Sequence, residues 1–221
     1  MIAKYCKKII LRLIEPAHGK VNFLRQISKC SNILDVGCGN DSPYLIKTQL
    51  PNITYTGIDI GDYNQQRKNL ADNYILTSPL NFAAKIAEFV NEFDVVISSH
   101  NLEHCNDRMQ TLNSMTMALK RGGMLYLSFP TEKSVSFDSR KGTLNYYDDL
   151  THQGLPPNFN EVIARLKNSD MKILFSSKSY KPIFYYFWGM FLERKSKKEK
   201  QVTYQTWAYH GFEAIIWARK M

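Results

Sequence analysis

Short apolar runs recur along the chain, each bounded by Gly, Pro, Asn, Asp or Lys. They fall at Ile33 to Val36, Tyr55 to Asp59, Tyr74 to Ser78, Asp94 to Ser98, Met124 to Phe129, Met171 to Phe175 and Phe212 to Ala218, and they read as buried strands. Between them the apolar positions change to spacings of three and four. Ile2, Tyr5, Ile9 and Leu13 predict an amphipathic helix with lysines opposite, and Val21 to Ser28 predicts a second, short one. Helices are also expected from Ser42 to Leu50, over Phe82, Ile86, Phe89 and Val90, and over Phe159, Val162, Ile163 and Leu166 behind Pro156 and Pro157. Leu112, Met115 and Leu119 form the apolar stripe of another. Asp107 with Gln110 suggests its capping box, and Lys120, Arg121, Gly122 and Gly123 suggest its C-terminus. Strands alternating with helices predict an α/β, doubly wound, parallel sheet.

The first strand runs directly into Gly37-Cys38-Gly39, where the backbone must turn without Cβ atoms in the way. A strand, a glycine turn and a helix start make a nucleotide cradle, because bare backbone admits a ligand to the amides. A dinucleotide site wants a third glycine where this chain has Ser42, which disfavours hydride chemistry. Asp35 stands at the strand's carboxyl end, where its carboxylate can face an ammonium group or order the loop. Asp59 ends the second strand, where an acid can take both ribose hydroxyls.

These residues resemble the motifs of class I S-adenosylmethionine-dependent methyltransferases. Leu34 to Asn40 is similar to the first motif and Gly57-Ile58-Asp59 to the second. Ser98 to His104 resembles the segment after the fourth strand, and Leu119 to Gly123 the turn before the fifth. The resemblance implies a Rossmann-like, seven-stranded sheet, mostly parallel, with an antiparallel last strand inserted between the fifth and sixth. It implies S-adenosyl-L-methionine held by Asp35, Gly37, Cys38, Gly39, Asp59, Ile60 and Ser99, with an N-terminal helix over it. Two departures stand out. Asp41 replaces a common glycine, and only Ser78 and Asn81 are available where the family often has an acid for adenine.

Methyl transfer from a sulfonium needs a nucleophile held in line, helped by removal of its proton. His100, Glu103 and His104 follow the fourth strand, and a helical reading puts them on one face. Asp148, Asp149 and His152 arrive from the insertion after the fifth strand. His104 and His152 are the candidate catalytic residues. The pattern also resembles small-RNA 2′-O-methyltransferases and some quinone O-methyltransferases, in which an acid, a Glu-His pair and a distant His hold a divalent ion. That resemblance implies a metal set of His100, Glu103, His104 and His152, with His100 in the acid's place. The same Leu-Glu-His segment in other methyltransferases only caps a helix or lines the pocket.

The 221 residues are expected to form one methyltransferase domain, with residues 1–29 as a helical lid and 131–157 and 178–210 as substrate-side insertions. Four cysteines with no Cys-x-x-Cys pair argue against a disulfide framework or zinc ribbon, and Lys7, Lys8 and Arg12 interrupt any signal-peptide core, so a cytoplasmic protein is expected. The net charge of +9 is concentrated at the N-terminus and from Arg194 to Lys200. The second cluster follows the run Ile183 to Leu192, which is too short for a bilayer, since crossing one needs about 20 residues. That run fits a lid, a homodimer contact, or shallow insertion into an anionic membrane surface through residues 183–200.

Residues 145–152 and the aromatic tail are loosely similar to methyltransferases of bacterial surface-polysaccharide pathways. This implies O-methylation of a sugar, a glycan intermediate or another small molecule. RNA-end 2′-O-methylation is the rival enzymatic reading, although no aromatic RNA-binding signature is evident. A non-catalytic binding subunit that keeps the fold is the other.

Overall fold

The computed structural model describes residues 15–221, and the helix expected over residues 2–14 lies outside them. Seven strands form one sheet: β1 (Asn32–Val36), β2 (Thr54–Asp59), β3 (Asn73–Leu76), β4 (Phe93–Ser99), β5 (Leu119–Pro130), β6 (Met171–Ser177) and β7 (Glu213–Lys220). Their order is β3-β2-β1-β4-β5-β7-β6. The first five pair in parallel, and β7 runs antiparallel between β5 and β6, with Leu127 opposite Ile216. This is the Rossmann-like arrangement that the motifs implied.

Alternate residues of the strands feed two cores. Leu34, Val36, Ile58, Val96, Leu125 and Ile216 face one side, under α3 (Phe82–Ala87), α4 (Arg108–Ala118) and α5 (Phe159–Asn168). Ile33, Tyr55, Val95, Ile97, Tyr126 and Trp217 face the other, under α1 (Lys20–Leu24) and α2 (Ser42–Gln49). Phe23 of α1 packs on Tyr126 and Trp217, each with ring centroids 5.3 Å apart, which fixes the N-terminal segment over the middle strands. Burying a side chain of this size contributes about 2–3 kcal/mol.

Asp107 caps α4 by accepting from the Gln110 amide at 2.8 Å. The end of α4 differs from expectation. The helix stops at Ala118 because the Met117 and Ala118 carbonyls accept from the Asn91 and Glu92 amides, which replaces a C-terminal cap. Leu119 already pairs with Phe93, and residues 120–123 form a bulge before Met124 meets Val95. Gly122 takes a φ of +81° there, and Lys120 pairs with Asp94 at 2.8 Å instead of sitting in a last helical turn.

The insertions fold as short 3₁₀ turns, Glu132–Ser136 and Tyr146–Asp148, and as a helix pair, α6 (Ile183–Glu199) and α7 (Tyr204–His210). The buried Arg140 joins the two insertions, with its guanidinium against both carboxylate oxygens of Glu193 at 2.6 and 2.9 Å and against Ser196 at 2.9 Å. No helix among the described residues is long and apolar enough to cross a membrane.

Candidate functional site

The glycine turn sits at the carboxyl ends of β1 and β2. Gly37 has a φ of +76°, and a Cβ there would lie 2.5 Å from the Asn101 side chain, so both conformation and space demand glycine. Asp41, the departure from the family pattern, is left-handed at φ +56°, a conformation that aspartate tolerates and glycine favours. Its carboxylate accepts the Gln66 and Arg67 amides at 2.7 and 3.0 Å and pairs with the Arg67 guanidinium at 2.6 Å, which holds its pKa below the usual range. These bonds draw residues 62–67 against the turn, where Tyr63 packs on Gly39 and the Gln65 side-chain amide donates to the Cys38 carbonyl. That outer wall carries no motif and was not legible in the sequence.

Asp35 is fully buried and orders the loop. One of its oxygens accepts from the Ser42 hydroxyl at 2.5 Å and the Tyr55 hydroxyl at 2.7 Å, tying β1 to the start of α2 and to β2. Lys20 donates to the same Ser42 oxygen at 3.1 Å. The other Asp35 oxygen has no hydrogen-bond partner among the described residues, which suits an ammonium group. Asp59 is half-buried, and burial raises its pKa against the amides that face it, Ile60 at 2.7 Å among them. A carboxylate partly stripped of water at the end of β2 suits a pair of sugar hydroxyls. The donor set therefore fits an adenosyl sulfonium with its amino acid tail. Burial also pushes the Cys38 thiol far up, so Cys38 serves as loop packing and not as a nucleophile. Ile60 is exposed beside Asp59. Ser78 is engaged with the Asn81 amide at 3.3 Å, as the start of α3.

The segment after β4 is a 3₁₀ turn, Leu102–His104, preceded by His100 at φ +51°. The expected helical face for His100, Glu103 and His104 is therefore not formed. His100 is not among the grouped ligand atoms, because its ring is spent on two carboxylates, Glu103 at 3.1 Å through Nδ1 and Glu213 at 2.8 Å through Nε2. Burial pushes its pKa down, but the two carboxylates outweigh burial and bring it up to about 10. His100 is thus an imidazolium with both nitrogens occupied, unsuited to coordinate a metal or accept a proton.

The structure does bring Glu103, His104 and His152 together, with one ligand atom of each within 4.8 Å of the others. Arg108 fixes the 146–155 loop against β4's exit, bonding the Leu102 carbonyl at 3.1 Å, the Leu155 carbonyl at 2.5 Å and the Tyr146 hydroxyl at 3.1 Å. His152 Nδ1 donates to the Tyr146 carbonyl at 2.6 Å. The Thr151 hydroxyl donates to Asp149 at 2.6 Å and so accepts from His104 Nδ1 at 3.0 Å. Among the described residues neither imidazole hydrogen-bonds through Nε2, although that of His152 faces the Asp149 carboxylate at 3.9 Å. Glu103 is completely buried, and its second oxygen has no hydrogen-bond partner among the described residues. Burial lowers the pKa of His152, which keeps it neutral at pH 7. The two Nε2 atoms and this carboxylate oxygen can receive a proton, and they fit a divalent cation.

A hollow of about 280 Å³ opens at the end of β4 and the head of β7, lined by Lys20, Ser99, Tyr126, Tyr185, Tyr204 and Glu213 among others, while Glu103, His104 and His152 stand behind His100 and do not line it. Ser99, expected at the cofactor, bonds Ser128 at 3.0 Å and borders this space. Glu213 links the hollow to the cluster through His100. Sequence reasoning missed Glu213 and the tyrosines. The acid that interrupts the apolar run after Phe212 was the available signal.

A family model described as a methyltransferase domain matches residues 2–166. An uncharacterized protein of Methanocaldococcus jannaschii is 32% identical over 110 residues, covering 47% of this chain and 29% of that protein, so the match spans under a third of that relative. A SAM-dependent methyltransferase from Archaeoglobus fulgidus superposes with a TM-score of 0.56 at 16% identity, over 98% of this chain and 94% of that one. The 1,6-didemethyltoxoflavin-N1-methyltransferase of Burkholderia thailandensis, solved with 1,6-didemethyltoxoflavin and S-adenosylhomocysteine, gives 0.57 at 12% identity over 100% and 85%. At such identities the likeness is one of fold. Matched over most of its length and folded with the same seven-stranded sheet, the chain belongs to the methyltransferase-domain family.

Proposed function

We propose that the chain transfers the methyl group of S-adenosyl-L-methionine to an oxygen of a small acceptor, a sugar or glycan intermediate. When bound, the cofactor supplies an electrophilic methyl carbon. Asp59 takes its ribose hydroxyls, Asp35 its ammonium group through the ordered loop, and the Gly37 to Gly39 turn its close backbone contact. The hollow supports a hydroxylated acceptor, because tyrosine rings cover sugar faces while Glu213, Ser99 and Lys20 meet hydroxyls.

The observation that carries the reading is the orientation of the two imidazoles. Nδ1 of each is committed to a fixed partner, so Nε2 of each can accept the acceptor hydroxyl's proton. Hydroxyls need that help more than amines, which supports an oxygen nucleophile. The same Glu103, His104 and His152 fit a divalent ion, which would lower the acceptor's pKa there.

The test incubates the protein with methyl-labelled S-adenosylmethionine and a panel of nucleotide sugars and free glycosides, with and without chelator. Label in an ether linkage is expected, with the rate reduced about 10²-fold or more in His152→Ala while S-adenosylhomocysteine still binds. Label on nitrogen, or an unchanged rate in both His104→Ala and His152→Ala with and without chelator, overturns the reading.

A further inference from the structure

The two faces of α6 have opposite character. On the inner face Gly189 and Ser196 are buried, and a Cβ on Gly189 would lie 1.9 Å from the Gln205 carbonyl, so α7 rests directly on it. Tyr185, also inward, lines the acceptor hollow. On the outer face Ile183, Phe184, Phe187, Trp188 and Phe191 recur at helical spacing and are 52 to 77% exposed. Four large aromatics and Ile183 exposed in one stripe go beyond the scattered apolar residues normal for a surface.

The same face changes chemistry toward the helix end. Phe187 and Phe191 lead by helical spacing to Arg194, Lys195 and Lys198, with Lys197 and Lys200 adjacent. Lys195 reaches Glu199 at 3.9 Å and Lys197 reaches Asp138 at 3.6 Å. Both pairs are exposed and weak, and five cations stand against one acid from Arg194 to Lys200.

A partner for this face must accept aromatic side chains at one end and supply negative charge at the other. A second copy of the chain meets the first demand only. An isologous pairing sets each cationic end against aromatics or against the other cationic end, without counter-charge. A lipid surface with anionic headgroups meets both, with aromatic rings at the level of the headgroups and cations on the phosphates. The run is too short to span, so the helix lies along the surface.

We propose that α6 docks the protein on an anionic membrane surface through Phe184, Phe187, Trp188 and Phe191 and the cations that continue the stripe. The inference does not depend on the identity of the methyl acceptor.

Co-sedimentation of the full chain with vesicles of phosphatidylcholine, alone or mixed with phosphatidylglycerol, tests it. Binding to the mixed vesicles is expected to be about tenfold or more tighter, and to weaken in high salt. Phe187→Ser/Phe191→Ser and Lys195→Glu/Lys198→Glu should each weaken it by about tenfold while leaving the circular dichroism and S-adenosylhomocysteine binding intact. Brominated lipid should quench the emission lost in Trp188→Phe. Equal binding to neutral and mixed vesicles, no binding at all, or a dimer that dissociates in the phenylalanine variants and ignores vesicles would each overturn the proposal.

Discussion

His100 joins Glu213 at 2.8 Å across 113 positions of sequence, while its other nitrogen holds Glu103 at 3.1 Å. One imidazolium thus ties the exit of β4 to the head of β7, and through Glu213 it ties the 280 Å³ hollow to Glu103. It also balances a carboxylate that is completely buried.

Removing that cation strands the charge. His100→Ala should destabilise the protein by roughly 3 kcal/mol in urea unfolding, because it leaves Glu103 buried and uncompensated. The sign of the pH dependence follows from a folded pKa of about 10 against an ordinary 6.5. The stabilisation is complete below about pH 6.5 and is lost as pH rises toward 10. The difference between wild type and variant should therefore shrink across that window.

His152 carries the opposite shift. Burial favours its neutral form, so as a base it stays unprotonated below pH 6.5. The acid limb of the methyl-transfer profile should fall below that value, and should disappear in His152→Ala. A limb at or above 6.5 would assign the base elsewhere.

The five inner strands were readable because each is a short apolar run largely buried on both sides, the edge strands β3 and β6 because their apolar residues still fall between turn signals, and the glycine turn because it follows the first strand at once. Two local structures were misread for local reasons. His100 adopts a left-handed backbone, which breaks a helical face that spacing alone suggests, and Gly122 and Gly123 serve a strand bulge where a helix cap was expected. What stayed hidden is non-local. Glu213 finds its partner 113 residues away, Arg140 finds Glu193 53 residues away, and Gln65 reaches Cys38 across 27. No periodicity encodes such pairings.

Arg140→Ala tests the second of these contacts. The guanidinium is buried against Glu193, so its loss should lower stability by about 3 kcal/mol and loosen α6 from the 131–157 insertion. Hydrogen exchange should rise in both segments and stay unchanged in β1 and β2.

Gly37→Ala tests the turn. A methyl at φ +76° and 2.5 Å from Asn101 is incompatible with both residues as they stand. The cost should be about 1–3 kcal/mol of stability, with a weakened cofactor site. An alanine variant as stable and as tight as wild type would mean the backbone there is freer than its geometry implies.

Titration calorimetry with S-adenosylhomocysteine, on wild type and Asp59→Ala side by side, tests the cofactor site most directly. Saturable heat with the wild type and affinity at least about tenfold weaker in the variant are expected, since a half-buried carboxylate loses its ribose partners. No heat with folded wild type, or equal affinity in the two proteins, would contradict the site.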